Sequence, residues 1–145
     1  MTADELALTW AGTFLLAGML TGVWKYRCIM ASADAQAPTY VDIAHRTALL
    51  YSFACVVLAL LAERSAWSNP VNLLGVWLAV SFFAAAVGSY VLHGLLRDTD
   101  NQLARPHRLG TTTLPGWMIG VFMNALIVAE IAGLLILFSG FVRAL

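Results

Sequence analysis

His45, Arg46, His93 and Glu130 are the ionisable side chains that this sequence places in or beside long apolar runs, with Tyr51, Ser52, Tyr90 and Asn124 as neutral companions. At membrane depth an ionisable group is costly, so each of them needs a partner or a task. A neutral imidazole can ligate a metal, or it can hydrogen-bond a backbone carbonyl or a nearby carboxylate such as Asp42. Both readings stand for His45. His93 falls nearer the end of its run and reads as an interfacial group reaching for water. Glu130 is either a hydrogen-bonded link between helices or a holder of a cation or proton. Tyr51 and Tyr90 each combine an apolar ring with a hydroxyl that needs a partner when buried. CxxC, HExxH, P-loop and GxGxxG patterns are all absent. Any chemistry must therefore come from single side chains that the fold brings together.

Helical spacing sets which of them can meet. If the second span begins near Tyr40, His45 lies more than one turn inside it and Ser52 follows at i+7 on the same face. Tyr90, His93 and Arg97 share a face at the far end of the third span, at about the depth of His45. The two histidines are thus expected within reach of one another. In the fourth span Asn124 comes about two turns in and Glu130 near mid-membrane, pointing about 120° apart. From depth alone, Tyr51 and Asn124 are candidates to line a cavity. Arg46, Arg97 and Arg105 suit lipid phosphate, water or the carboxylates of a bound cofactor. His107, between Pro106 and Arg108, reads as a solvated loop residue.

The elements that position these groups follow from composition. Apolar residues make up 61% of the 145 positions and charged residues 11%, against about half and about a quarter in a soluble domain. Four runs meet the requirement of about 20 apolar residues for a membrane crossing: Leu6 to Trp24, Val41 to Ala62, Val71 to Leu96 and Gly116 to Val142. The expected fold is all-α, a four-helix transmembrane bundle forming one membrane domain in the lipid bilayer. Thr39 with Asp42 suggests a capping box, Asn69-Pro70 an N-cap with an N1 proline, and Thr113 a start before Pro115. No strand is expected. The formal net charge is zero, which leaves no basic surface for nucleic acid. Cys28 and Cys55 fall at different depths and are not expected to pair. The first run follows an N-terminus without a cationic region and is read as a retained span.

Lys25, Arg27, Arg46, Arg97, Arg105 and Arg108 belong to the first and third connections, leaving Arg64 and Arg143 for the second connection and the ends. By the positive-inside rule, both termini are expected on the non-cytoplasmic side, in a bacterial inner membrane. Gly18/Gly22, Gly75/Ala79, Ala84/Gly88 and Gly116/Gly120 are small pairs at the spacing that lets helices approach closely in lipid. Trp10, Trp24, Trp67 and Trp117 lie near span ends, where indole rings anchor at headgroups.

The run Ala44-His45-Arg46 opening the second span and Gly88-Ser89-Tyr90 late in the third, in a chain of four short-looped spans, resembles the styrene oxide isomerase family and the similarly sized hydroxylaminobenzene mutases. The resemblance implies a b-type haem on His45, with Arg46 or Arg97 at its propionates, in a homo-oligomer, specifically a trimer with haem near the subunit boundaries. It further implies ferric iron acting as a Lewis acid on a small aromatic epoxide or N-aryl hydroxylamine. An epoxide would open toward a benzylic cation and yield an aldehyde by hydride shift, with no net redox change. Tyr90 would orient the substrate. The sequence departs from the isomerase pattern at Tyr51, where the family has asparagine, and at Phe82, where it has aspartate. Two other readings compete: a b-type cytochrome with His45 and His93 as its two axial ligands, and a cofactor-free accessory subunit of a larger membrane complex.

Overall fold

A computed structural model describes the whole chain, residues 1–145, as four long helices and one short hairpin. Helix α1 spans Ala3–Ala31, α2 Thr39–Glu63, α3 Asn69–Leu96 and α4 Gly116–Arg143. All four are long and apolar enough to cross a bilayer, so the chain is an all-α bundle of the integral membrane class. Helix α1 runs about two turns past Trp24, because no glycine or proline interrupts the chain until Pro38.

Successive helices run in opposite directions. The Ala3 amide donates to Asn69 Oδ1 at 2.9 Å, and the Ala66 amide donates to the Gly140 carbonyl at 2.9 Å. The starts of α1 and α3 and the ends of α2 and α4 therefore share one end of the bundle, together with both termini. At the other end Lys25, late in α1, pairs with Asp42 in the first turn of α2 at 2.6 Å.

Small residues make the core thin. Ala7, Ala48, Val76, Ala79 and Val80 are fully covered, and α4 adds only Leu137 to the same cluster. The buried positions of α4 are Ala129, Gly133, Leu137 and Gly140, a stripe of one residue per turn. The stripe meets α3 at Gly75, and a Cβ built on Gly133 would stand 3.0 Å from the Ala79 backbone nitrogen and closer still to the Gly75 carbonyl. Here the two backbones touch. Gly18 and Gly22 play the same part for α2, making room for Leu49 and His45. Gly88 and Gly120 do not, since a Cβ at either would meet nothing within 4 Å.

The helix starts differ from expectation. Thr2 caps α1 in a full capping box with Glu5. At α2 the cap position is Pro38, which has no side-chain acceptor, so no side chain caps the helix and Thr39 is its first residue; the Asp42 carboxylate is engaged with Lys25 and Arg46. Ser68 is the N-cap of α3, with Pro70 in the first turn, while Asn69 turns its side chain to α1. Pro115 precedes α4. The third connection carries two strands that the sequence did not suggest: β1, Arg108–Leu109, pairs antiparallel with β2, Thr112–Thr113. Gly110 takes the positive φ of 61° that the two-residue turn between them requires.

Candidate functional site

His45 sits on α2, half-buried, facing α1. Its Nδ1 is 2.8 Å from the Gly18 carbonyl oxygen. A carbonyl only accepts, so Nδ1 carries the proton and Nε2 is the nitrogen left for another partner. Gly22, one turn further along α1, makes the space: a Cβ there would lie 2.9 Å from Cε1 of the imidazole. Of the two readings open for His45, the carbonyl hydrogen bond is present, and it leaves ligation through Nε2 open. Backbone carbonyls hold metal-ligating histidines in this way, fixing the tautomer and raising the basicity of the free nitrogen.

Cations gather at the end of α2 that carries His45. Arg46 reaches Asp42 at 2.7 Å and Lys25 reaches the same carboxylate, so two cations share one anion. Around the corner, Arg27 and Arg97 line a cleft of about 550 Å³ with Cys28, Gln36 and Pro38. Arg97 adopts a left-handed conformation at φ 50° as it closes α3. Lys25 and Arg27 entered the sequence reading only as orientation signals. Their clustering with Arg46 and Arg97 depends on the packing of α1 against α2 and was not legible from spacing.

His93, one turn from the end of α3, does not reach for water. It is buried, its Nδ1 is 2.8 Å from Asp98 Oδ1, and the other Asp98 oxygen accepts from the Gly110 amide of the hairpin turn. Its ring lies 5.0 Å from that of Tyr40. Burial pushes the Asp98 carboxyl up, but the hydrogen bonds from His93 and from the Gly110 amide outweigh it and hold the group below the usual carboxylate value. His93 thus fastens the third connection to the bundle. His107 is also buried, against expectation, with Nδ1 3.2 Å from the Gln102 carbonyl and its own backbone carbonyl accepting from Leu114.

The aromatic groups gather on another face of α2. Tyr51 stacks on Phe83 at 4.0 Å, and Tyr90 stacks on Tyr40 at 5.9 Å. The Tyr40 hydroxyl accepts from the Gln102 amide. Glu130 approaches both Tyr51 and Tyr90 from α4. Tyr40 and His45 are five residues apart on one helix, so they point about 140° from each other. His45 therefore faces α1, whereas Tyr90 and His93 on α3 pack against Tyr40 of α2 and Tyr51 stacks on Phe83 of α3, so the two histidines have separate partners. Asn124 joins neither group. It is exposed on α4 with its amide folded back onto the Gly120 carbonyl at 2.8 Å.

Nowhere do three His, Cys, Asp or Glu side chains converge as a metal cluster would need. A single axial imidazole needs no such cluster. Comparison with protein-family models, with curated proteins and with solved structures finds no match for this chain.

Proposed function

We propose that this protein binds haem b through His45 and acts as a membrane isomerase on a small aromatic epoxide or N-aryl hydroxylamine. The observation that carries the reading is the imidazole on its glycine cradle, with Nδ1 spent on the Gly18 carbonyl and Nε2 without a partner. The chain offers an apolar neighbour at the imidazole, since Leu49 packs on Gly18 one turn from where His45 packs on Gly22, and Lys25 and Arg46, which share Asp42, offer positive charge at the same end of α2 for propionates. Bound haem would supply ferric iron as a Lewis acid for a rearrangement without net electron transfer.

The chain's own residues would do the rest. Gly18 holds the imidazole in one tautomer, and Gly22 keeps the ring against α1. Tyr90 is the residue proposed to orient substrate, with Tyr51 lining the cavity and Asn124 retained as a further lining position from the sequence. Tyr90 faces away from His45 within one chain and stacks on Tyr40, so its role in orienting substrate at the haem rests on the homo-oligomer, a trimer, that the resemblance implies. The bis-histidine alternative is less well supported, since His93 packs against Tyr40, which points about 140° from His45 on α2.

The test is the absorption spectrum of detergent-purified protein expressed with added haem, beside His45→Ala. A Soret band present in wild type and lost in the variant supports the reading, as does aldehyde formed from styrene oxide by the wild type alone. A wild type without a Soret band ends it. A cofactor-free accessory role would then lead, favoured by the single buried stripe of α4, which leaves Trp117, Val128 and Phe138 exposed for a larger partner.

A further inference from the structure

Glu130 opens into a groove that lies away from His45 and borders Tyr51 through Phe83. The groove holds about 400 Å³ between α2, α3 and α4, and its walls are Ala54, Val57, Ala79, Phe83 and Leu134 with neighbouring apolar residues. Glu130 is the only polar side chain among them. Its Oε1 atom is buried and has no donor in hydrogen-bonding geometry, while the Tyr51 hydroxyl stands close to the same carboxyl. An acceptor in that state lacks a favourable contact that almost every buried polar atom in proteins has. None of the eight Lys and Arg residues lines the groove, so the acid has no internal counter-charge.

Ala54 lies nine residues beyond His45 on α2, which turns it about 180° away. The groove is thus separate from the imidazole face. Its size falls within the range of small-molecule sites, roughly 300–1,000 Å³.

We infer that this groove is a binding site for a small apolar primary amine entering sideways from the bilayer, with its nitrogen donating to Glu130. The complement follows from what the groove holds. It offers an acid at one point and apolar surface everywhere else, and a primary amine on a short hydrocarbon or aryl body meets both, taking the acid's proton and then donating as ammonium to the carboxylate. Since lipid tails are as apolar as the walls, the apolar body gains little by leaving the membrane. Selectivity therefore rests on the carboxyl group, and binding should depend on Glu130 more than on any wall residue.

The experiment is a calorimetric titration of 2-phenylethylamine into the protein in phosphatidylcholine nanodiscs, with 2-phenylethanol as the uncharged mimic. Wild type should bind the amine saturably and the alcohol at least tenfold more weakly. Glu130→Gln, which keeps the shape of the side chain, should weaken the amine at least tenfold with helix content unchanged, and Glu130→Asp should restore part of it. Ala54→Trp, which fills the groove without touching the acid, should also block binding. An amine held by haem iron would shift the Soret band, survive Glu130→Gln and be lost in His45→Ala, and that result would overturn the inference while leaving the haem reading intact. Equal binding by wild type and Glu130→Gln, or by amine and alcohol, would overturn it as well. So would an absence of amine binding, including the case where Glu130→Gln alters the oligomeric state because a second copy of the chain covers the groove.

Discussion

A Cβ on Gly22 would stand 2.9 Å from Cε1 of His45, so a missing side chain on α1 sets where the imidazole on α2 can lie. The contact is with a ring held at the other side by the Gly18 carbonyl, which limits how far the imidazole can yield. Overpacking of this kind costs about 1–3 kcal/mol, and replacing a helical glycine by alanine returns about 0.5–1 kcal/mol. Gly22→Ala is therefore expected to destabilise the bundle by about 1 kcal/mol, read as a lower melting temperature in detergent. Where haem is bound, the same variant should lower its retention. An unchanged melting temperature together with unchanged haem content would show that the ring does not depend on this cradle.

The glycines of α4 are expected to separate into two kinds. At Gly133 an added methyl runs into the backbone of α3 at Gly75 and Ala79, where neither partner is a flexible side-chain end, so Gly133→Ala should cost at least the upper part of the overpacking range, about 3 kcal/mol. At Gly120 the added methyl meets nothing, and Gly120→Ala should be neutral or stabilising by about 0.5–1 kcal/mol. Thermal unfolding of the two variants in one detergent makes the comparison. A loss at Gly120 as large as that at Gly133 would mean that another protein surface covers that face.

The four spans were legible because lipid demands about 20 apolar residues per crossing, a signal that composition alone carries. The helix starts were read less well. Thr2 with Glu5 has the spacing of a capping box, and that signal was present in the sequence but passed over. Thr39 with Asp42 has the same spacing and forms none, because Pro38 takes the cap position and Thr39 is already inside the helix. His45 lies more than one turn inside α2, but position along a helix does not give azimuth relative to neighbours. Which face of α2 meets α1 and which meets α3 is decided by Gly18, Gly22 and Gly94, where the helices can close up. That is why His45 and His93 were expected together and lie apart. The burial of His93 and His107 was hidden for a related reason, since it depends on Asp98 and Gln102 in a connection whose hairpin leaves only a two-residue pattern.

Asp98 makes the third connection sensitive to acid. Its folded pKa lies below the ordinary 3.8, so the stability it contributes is complete above that value and is lost as pH falls through the lowered folded value. Protonation weakens the acceptor for both His93 and the Gly110 amide. Melting temperature against pH should fall below pH 3.8 in wild type, and this step should be reduced in Asp98→Asn. At neutral pH the variant should lose about 1–3 kcal/mol, the range for hydrogen bonds to a buried charged group. A variant that keeps the full acid step would assign it to other carboxylates.

The charge distribution predicts orientation. The six cations Lys25, Arg27, Arg46, Arg97, Arg105 and Arg108 lie at the end of the bundle opposite the termini, while Arg64 and Arg143 lie at the terminal end. Arg143 is placed over the Trp67 ring at 4.7 Å, a contact that suits an interfacial position on either side of the membrane and adds nothing to the bias. Cations within about 15–20 residues of the spans, in short connections, are the ones that decide topology, and all six qualify. A reporter fused after Leu145 should be active only when it works on the non-cytoplasmic side, and a cysteine placed at Ser68 should react with an impermeant thiol reagent from that side. Cysteine at Thr111, in the hairpin turn, should be protected until the membrane is opened. Placing several lysines after Leu145 while neutralising Arg105 and Arg108 should shift part of the population to the opposite topology, because the bias between the two ends is then removed. A cytoplasmic C-terminus in the unaltered chain would reverse the assignment and with it the side from which the Arg27 and Arg97 cleft is reached.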